Sequence, residues 1–243
     1  MKTLDIADLF KMKAVGKVPR PRLLTRLTLK IAADDKLDGI PSDDHQTASK
    51  TSDGWTVDVH PPDFDENSSL TIGEAWKMQP DWVKPDARIL CDSPHIVSLA
   101  REIVGAETNA LKAAHKIQQY VAKYMTYDEK AIGVRNSNDI YESKHGVCVD
   151  FAILTAALMR AASIPARLAA GVVSPEDSFG SFYSHEWIEV FDGSKWVGVE
   201  TTSPDSPQVI ASYIKFGSGS SEQIANSSEP RSHHAVLTIL SVN

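Results

Sequence analysis

The spacing of apolar residues changes near position 90 of this 243-residue chain. Before that point, apolar and polar residues alternate in two short runs, at residues 27–31 and 55–59, which predicts two half-buried strands. The polar stretch between them, residues 34–54, is predicted to be a loop. Residues 81–86, with prolines close by, are predicted to form a linker. The pattern therefore favours a small β-rich N-terminal domain, residues 1–85.

From position 90 onward, apolar residues recur at helical spacing. Ser93 followed by Pro94 marks the start of one helix, and Gly105 is expected to end it. Thr108 is the predicted cap of a second helix, and a third is predicted to begin near Cys148. The second domain is expected to span residues 86–243.

Strands are predicted after the third helix. Helices followed by strands indicate an α+β fold, with helices packed on an antiparallel sheet. Residues 217–232, rich in serine, glycine and glutamate, are expected to form a mobile loop. The four predicted strands are residues 168–173, 184–190, 196–200 and 235–242.

Composition excludes several classes of function. Acidic residues outnumber basic ones by 32 to 25, and the net charge of −7 argues against nucleic acid as the main partner. The two cysteines, Cys91 and Cys148, are too few for a disulfide framework and do not form a C-x-x-C pair. We therefore expect neither a metal nor a cofactor.

The hydropathy pattern bears on the compartment. The chain has no run of 18 uninterrupted apolar residues, so no membrane span is expected. Residues 1–16 lack the apolar segment of a signal peptide. A cytoplasmic protein is expected if the chain is complete, and an exported one stays open if it is part of a longer protein. The pattern carries no information on oligomeric state.

Cys148 is the first candidate for chemistry, because it follows Gly146-Val147 and opens an apolar helix. Unpaired N–H groups at a helix N-terminus favour a thiolate, which is the nucleophilic form of cysteine. The same N–H groups could stabilise an oxyanion. The alternative is a small buried cysteine without a chemical role.

His185 and Glu200 are the second candidates, and they lie on either side of a predicted hairpin. Asp192-Gly193 is a strong signal for a two-residue turn. With that turn Phe191 pairs with Ser194 and, counting outward, His185 faces Glu200. Directly opposed side chains are close enough for an imidazole–carboxylate hydrogen bond. The alternative is an exposed pair on a surface hairpin.

Taken together, these segments resemble the core of the transglutaminase-like superfamily, and its bacterial members in particular. The resemblance covers roughly residues 90–216. It rests on Gly-Val-Cys-Val-Asp-Phe-Ala at 146–152, Ile-Pro-Ala-Arg at 164–167, His-Glu-Trp-Ile-Glu-Val at 185–190 and Trp-Val-Gly-Val-Glu at 196–200.

The resemblance implies a papain-like arrangement in which Cys148 is the nucleophile, His185 the general base and Glu200 the residue that orients the histidine. It implies acyl transfer on amide bonds of a peptide or protein substrate through a thioester, with hydrolysis favoured. The family more often has aspartate at the position of Glu200, and the longer glutamate bears on the strength of the His185 hydrogen bond but not on its existence. Protein cross-linking and a non-catalytic binding module stay open as alternatives.

Other residues are weaker candidates. His145 could rival His185 as a base, and Tyr127 could donate to an oxyanion or simply pack. Asp150 is expected to serve the start of the helix. Arg160 and Arg167 are expected to pair with carboxylates.

Overall fold

The computed structural model describes residues 11–32, 39–63, 65–67, 69–175, 181–205, 208–226 and 236–243. Within these residues the chain alternates between strands and helices. The helices are α1 (Ile72–Met78), α2 (Pro94–Val104), α3 (Ala110–Tyr124), α4 (Ser137–Ser143), α5 (Cys148–Ala161) and α6 (Ser221–Asn226). The strands are β1 (Lys11–Val15), β2 (Leu27–Ala32), β3 (Gln46–Thr51), β4 (Gly54–Val59), β5 (Thr126–Tyr127), β6 (His145–Gly146), β7 (Ala166–Val173), β8 (Ser181–Phe191), β9 (Trp196–Val199), β10 (Tyr213–Gly219) and β11 (Val236–Val242).

Strands from both ends of the chain join in one sheet. Over the described residues the order is β10-β7-β8-β1-β11-β2-β4-β3, and β9 pairs with β8 beside this path. The pairs are antiparallel except β1–β11, which is parallel. Two short parallel strands, β5 and β6, lie apart and bring Tyr127 beside Gly146.

Helix α5 is the centre of the larger hydrophobic core. Its residues from Asp150 to Arg160 are buried, so the helix is enclosed on all sides and shows no single apolar stripe. Helices α2 and α3 pack on it, and strands β7 and β8 contribute Leu168, Ile188 and Val190 to the same core. This packing holds the first residue of α5, Cys148, at the edge of the core.

A second hydrophobic core lies between the N-terminal strands and the rest of the sheet. It includes Leu29 and Val57 from the N-terminal region, Phe182 from β8, Ile214 from β10, and Leu237 near the C-terminus. The predicted α+β fold with a β-rich N-terminal region is confirmed. The domain boundary at residue 85 stays a prediction, and strands from both sides of it share one sheet.

The predicted helices and strands after residue 90 are largely correct, with small shifts at their ends. Ser93 and Gly105 flank α2 as predicted. The cap of α3 is Asn109, whose side chain accepts from the Lys112 N–H at 2.9 Å, and Thr108 is one residue too early.

Two predictions of loops were wrong where the structure describes them. Residues 46–51 form β3, the last strand in the sheet order. Its residues are mostly polar, and most of them are partly or fully exposed to solvent. Residues 217–226 lie in the end of β10 and in α6. Of these two predicted loops, residues 34–38 and 227–232 lie outside the described part of the chain.

Candidate active site

Cys148 is the first residue of α5, and the turn before it is built around Asp150. The Asp150 carboxylate accepts from the Val147 N–H at 2.9 Å, as expected for an acidic residue in the first turn of a helix. A Cβ at Gly146 would lie 2.5 Å from the Asp150 Cβ, so a side chain has no room there. The half-buried Cys148 is thus presented by a tightly packed turn.

Arg135 holds this turn from outside. Its guanidinium lies 2.8 Å from the Asp150 carboxylate, whose side chain is only 1% exposed. The same guanidinium donates to the His145 carbonyl oxygen at 2.9 Å and to the Ser143 hydroxyl at 2.9 Å. These contacts tie the segment that precedes Cys148 to α4.

His185 lies in the middle of β8 and contacts both of the other predicted residues. Its Nε2–H donates to the Glu200 carboxylate, with Nε2 and Oε2 2.7 Å apart. The Cys148 thiol lies near enough to the ring to help raise the pKa of His185. Because Nε2 is engaged by Glu200, the nitrogen that remains for the thiol is Nδ1.

The pKa of His185 reflects these neighbours. Burial lowers it, but the Glu200 carboxylate, through its charge and its hydrogen bond, and the nearby Cys148 thiol raise it well above its ordinary value. The imidazolium is therefore the favoured form of this ring. A positive ring beside a thiol favours the thiolate, which is the reactive form of cysteine.

The hairpin that carries His185 and Glu200 has a different register from the predicted one. Phe191 pairs with Trp196, and Ile188 pairs with Val199. The connection is therefore residues 192–195, closed by a 3.1 Å bond from the Asp192 N–H to the Lys195 carbonyl oxygen. The predicted two-residue turn was wrong, because the Asp192 carboxylate binds the Ser194 and Lys195 N–H groups and stabilises a longer loop.

The register error did not separate the predicted pair. The observed pairing is shifted by two residues from the predicted one. Because successive side chains point to alternate faces of a strand, a shift of two residues leaves Glu200 on the same face of the sheet as His185. Continued by one residue, the observed register brings Glu200 beside Trp187, so His185 is a diagonal neighbour. A glutamate is one methylene longer than an aspartate and can reach along this diagonal.

The Glu200 carboxylate is buried and accepts four hydrogen bonds. Oε2 accepts from His185 and from the Tyr213 hydroxyl, the latter at 2.8 Å. Oε1 accepts from the Thr202 N–H at 2.6 Å and the Thr202 hydroxyl at 2.5 Å. Burial would raise the pKa of Glu200, but His185 and the Thr202 donors lower it to about 2.

Aromatic rings enclose the histidine–carboxylate pair. The Tyr213 ring meets the His185 ring edge-on, with centroids 5.6 Å apart, and meets Trp187 in the same way at 5.5 Å. The His185 and Glu200 side chains are 13% and 4% exposed. The hydrogen bond between them is therefore shielded from water, which strengthens it.

The weaker candidates are distributed around this centre. Tyr127 is 54% exposed and packs its ring against Phe151, while burial of its hydroxyl, with Cys148 and two glutamates nearby, raises its pKa to about 12. His145 is exposed, and its carbonyl oxygen binds Arg135. The expected carboxylate partners of the two arginines are present, as Arg160–Asp86 at 3.0 Å and Arg167–Glu189 at 2.7 Å.

The second cysteine is remote from this chemistry. Cys91 is buried, its Sγ lies 3.5 Å from the Val83 carbonyl oxygen, and burial raises its pKa to about 11. Its thiol is therefore protonated at neutral pH. Cys148, in contrast, is half-buried and contacts a charged ring.

Sequence reasoning missed three residues that contact the site. Tyr213 lies outside the predicted strands, and Thr202 and Arg135 were given no role. Thr202 could have been found, since a threonine two residues after a carboxylate can bind it locally. Tyr213 and Arg135 reach the site through tertiary packing, for which the local pattern carries no signal.

The arrangement as a whole places a thiol at a helix N-terminus beside an imidazole that is hydrogen-bonded to a carboxylate. Among the described residues, no group of three or more histidine, cysteine, aspartate or glutamate side chains is arranged to hold a metal ion. No helix in the described part of the chain has the length and apolar character needed to cross a membrane. Every contact described above for Cys148, His185 and Glu200 is with another residue of the chain.

Comparison with known families identifies the segment that contains these residues. The model of the transglutaminase-like superfamily matches residues 97–201, which include Cys148, His185 and Glu200. A protein-glutamine gamma-glutamyltransferase from Pseudomonas aeruginosa is 28% identical over 148 residues, which cover 55% of this chain and 22% of that protein. This chain thus corresponds to about a fifth of that relative's length.

Solved structures share the fold at low sequence identity. A Cytophaga hutchinsonii protein described as a "putative cysteine protease" superposes with a TM-score of 0.54 at 16% identity, covering 96% of this chain and 85% of its own. The periplasmic domain of TgpA from Pseudomonas aeruginosa superposes with a TM-score of 0.50 at 17% identity, covering 83% of this chain and 92% of its own. At these identities the likeness establishes the fold alone.

Proposed function

Because residues 97–201 belong to the transglutaminase-like superfamily, we propose that the protein is a cysteine-dependent enzyme that acts on amide bonds through a thioester at Cys148. In this proposal His185 is the general base and Glu200 orients it. The substrate is a peptide or protein, and the acyl group is passed to water. The observation that carries the proposal is the 2.7 Å hydrogen bond between His185 and Glu200, beside the Cys148 thiol at the start of α5.

The first half of the reaction forms the thioester. The Cys148 thiolate attacks the carbonyl carbon of the amide, and the Cys148 N–H can donate to the oxyanion, because the first turn of a helix offers it no internal acceptor. The C–N bond then breaks, and the His185 imidazolium gives its Nδ1 proton to the departing amine. Cys148 is left as the acyl-enzyme and His185 as the neutral imidazole.

The second half releases the acyl group. Neutral His185 removes a proton from water through Nδ1, and the resulting hydroxide adds to the thioester. The C–S bond breaks, which yields the carboxylic acid and the Cys148 thiolate beside the protonated ring. Glu200 assists both halves, since it holds Nε2–H and stabilises the imidazolium.

A second candidate function is amine transfer, which the similarity to a protein-glutamine gamma-glutamyltransferase favours. The thioester is the same in both cases, and a primary amine takes the place of water. A third candidate is a binding module that keeps the fold without catalysis. Its main support is the glutamate at position 200, where the family more often has aspartate.

One experiment separates the three candidates. The protein is incubated with a glutamine-containing protein such as casein, with and without a fluorescent primary amine, and the products are analysed by mass spectrometry. New peptide termini or deamidated glutamine support hydrolysis, whereas covalent incorporation of the amine supports transfer. Cys148→Ala is the control, and it should lose either activity.

If neither hydrolysis nor amine transfer is detected, the reactivity of Cys148 decides between an enzyme and a binding module. A protein that shows no product, and whose Cys148 reacts with iodoacetamide no faster than an ordinary thiol, contradicts the enzymatic proposal. The binding module would then be the better description. A reactive Cys148 without product on casein would instead point to a narrower substrate.

A further inference from the structure

Tyr213 is placed to act on the orienting carboxylate. Its hydroxyl donates to Glu200 Oε2 at 2.8 Å, and this is the same oxygen that accepts from His185 at 2.7 Å. Tyr213 is 9% exposed and Glu200 3% exposed, so the bond is made in a dry environment. A hydrogen bond to a buried charge is stronger than one between neutral groups.

The other carboxylate oxygen is held independently. Thr202 donates to Oε1 from both its N–H, at 2.6 Å, and its hydroxyl, at 2.5 Å. The side chain of a glutamate has one more rotatable bond than that of an aspartate, and the position of the Glu200 carboxylate depends on rotation about that bond. Hydrogen-bond donors on both carboxylate oxygens restrict this rotation.

Strand β10 brings Tyr213 to this position through an unusually close approach. Gly171 of β7 pairs with His185 on one side and with Lys215 on the other. A Cβ at Gly171 would lie 1.9 Å from the Ile214 carbonyl oxygen. The glycine therefore lets β10 come close enough for the Tyr213 ring to meet the His185 ring.

The N-terminal region fixes the strand that carries Tyr213. The His45 Nε2 lies 2.9 Å from the Tyr213 carbonyl oxygen. The Gln46 side chain both accepts from the Lys215 N–H and donates to the Lys215 carbonyl oxygen, each at 2.8 Å. The buried Lys215 ammonium pairs in addition with the Asp43 carboxylate. Residues 43–46 thus hold the start of β10 through its backbone at Tyr213 and through the backbone and side chain of Lys215.

We infer that Tyr213 is a positioning residue of the proposed reaction, which holds Glu200, and through it the His185 ring, in the geometry that proton transfer needs. Thr202 has the same role on the second oxygen. This inference rests on the proposed function. It adds that a residue of the N-terminally anchored strand β10 acts on catalysis without touching the substrate.

The test uses a double-mutant cycle between positions 213 and 200. Tyr213→Phe removes the hydroxyl and keeps the ring that packs on His185 and Trp187. The probe is p-nitrophenyl acetate, whose burst of p-nitrophenolate reports acylation of Cys148 and whose steady state reports hydrolysis of the acetyl thioester. A residue that acts through Glu200 has no effect once Glu200 is replaced, whereas an effect on folding or packing adds in either background.

We expect Tyr213→Phe to slow the steady state about tenfold in the wild-type background, the size expected for one hydrogen bond to a charged group. In the Glu200→Ala background, which removes both acceptor oxygens, the same change should alter the rate less than about twofold. Tyr124→Phe is the matched control, because its hydroxyl donates to the Tyr141 carbonyl oxygen at 3.0 Å away from the site. This control should change neither rate.

An equal loss in both backgrounds, or no loss in the wild-type background, would overturn the role of Tyr213. If Tyr213→Phe does not fold, as judged by urea unfolding, the cycle of Thr202→Val with Glu200→Ala decides in the same way. A wild-type protein with no burst that depends on Cys148 would overturn the proposed function as well. The two failures are therefore distinguishable.

Discussion

His185 and Glu200 form a 2.7 Å hydrogen bond although they are not cross-strand partners. The bond runs diagonally across the β8–β9 hairpin, and the length of the glutamate side chain makes it possible. Thr202 and Tyr213 complete the coordination of the carboxylate. The departure from the aspartate more common in the family is therefore matched by the local geometry.

The reactivity of the two cysteines should differ widely. Iodoacetamide at about pH 6 should label Cys148 at least tenfold faster than Cys91, because Cys148 contacts an imidazolium at a helix N-terminus. Cys91 is buried and its pKa is raised to about 11. Mass spectrometry of the two cysteine peptides gives the rates.

The same labelling experiment tests the ion pair. In His185→Ala the labelling profile of Cys148, followed over time at about pH 6, should be slower than in the wild type, because the neighbouring ring is removed while the helix N-terminus remains. His145→Ala is the matched control, since this exposed residue precedes Cys148 by three positions. A profile unchanged in His185→Ala would show that the ring does not activate the thiol.

Replacement of Glu200 by glutamine should slow turnover by about 100-fold and leave the fold intact. An amide can still accept from Nε2–H, but it does not stabilise an imidazolium as a carboxylate does. The measurement is the steady-state rate with p-nitrophenyl acetate, with circular dichroism as the check on folding. Glu102→Gln, a change at an exposed residue of α2, is the control. Unchanged turnover in Glu200→Gln would mean that the carboxylate has a structural role alone.

Stability should fall in acid as Glu200 is protonated. The pKa of Glu200 is lowered from 4.5 to about 2 in the fold, so its contribution is fully present above about pH 4.5 and is lost as the pH falls through about 2. The loss is on the order of 3 kcal/mol in the free energy of unfolding. Urea unfolding between pH 2 and pH 6 should show wild type losing its advantage over Glu200→Gln in this range.

The His185 side of the same ion pair gives the opposite slope at higher pH. Its pKa is raised from 6.5, so its contribution is fully present below about pH 6.5 and is lost as the pH rises through the raised value. The free energy of unfolding of the wild type should therefore exceed that of Glu200→Gln by the largest margin between about pH 4.5 and pH 6.5. A constant difference across the whole range would contradict the ion pair.

The turn before Cys148 should not tolerate a side chain at Gly146. In Gly146→Ala the new Cβ would meet the Asp150 side chain at 2.5 Å, which must displace the carboxylate from the Val147 N–H. We expect a loss of about 1–3 kcal/mol in unfolding free energy and slower alkylation of Cys148. Gly133→Ala is the control, because a Cβ there meets no atom within 4 Å. Equal stability and reactivity of the two variants would show that the turn adapts.

Much of the fold follows from local pattern. Ser93, Pro94 and Gly105 delimit α2 through helix-end preferences that depend on a few neighbouring residues. The alternation in β2 and β4 reflects burial of one face of each strand, and the long apolar run of α5 reflects burial of the whole helix. The prediction that Cys148, His185 and Glu200 meet depended further on the resemblance to a family. The local pattern alone also allowed a buried cysteine without a chemical role and an exposed His–Glu pair on a surface hairpin.

Other features depended on which of several nearby hydrogen-bond partners a segment takes. The polar strand β3 forms because β4 offers it a complete set of hydrogen-bond partners at the sheet edge. The hairpin loop is longer than two residues because the Asp192 carboxylate binds the following N–H groups. In both cases the competing structures differ little in local energy, and the surroundings decide.

The sequence, with its resemblance to a family, therefore predicted which residues are candidates for the chemistry, and only the tertiary structure decided how they are held. Asp150 is a helix-start residue in the sequence, but its pairing with Arg135 needed the chain between them to fold back. Tyr213 reaches Glu200 because β7 seats β10 beside β8, and Gly171 permits the close approach. The physical reason is that periodicity and turn preferences act over a few residues, whereas a buried carboxylate is satisfied by whatever donors the packed strands bring to it.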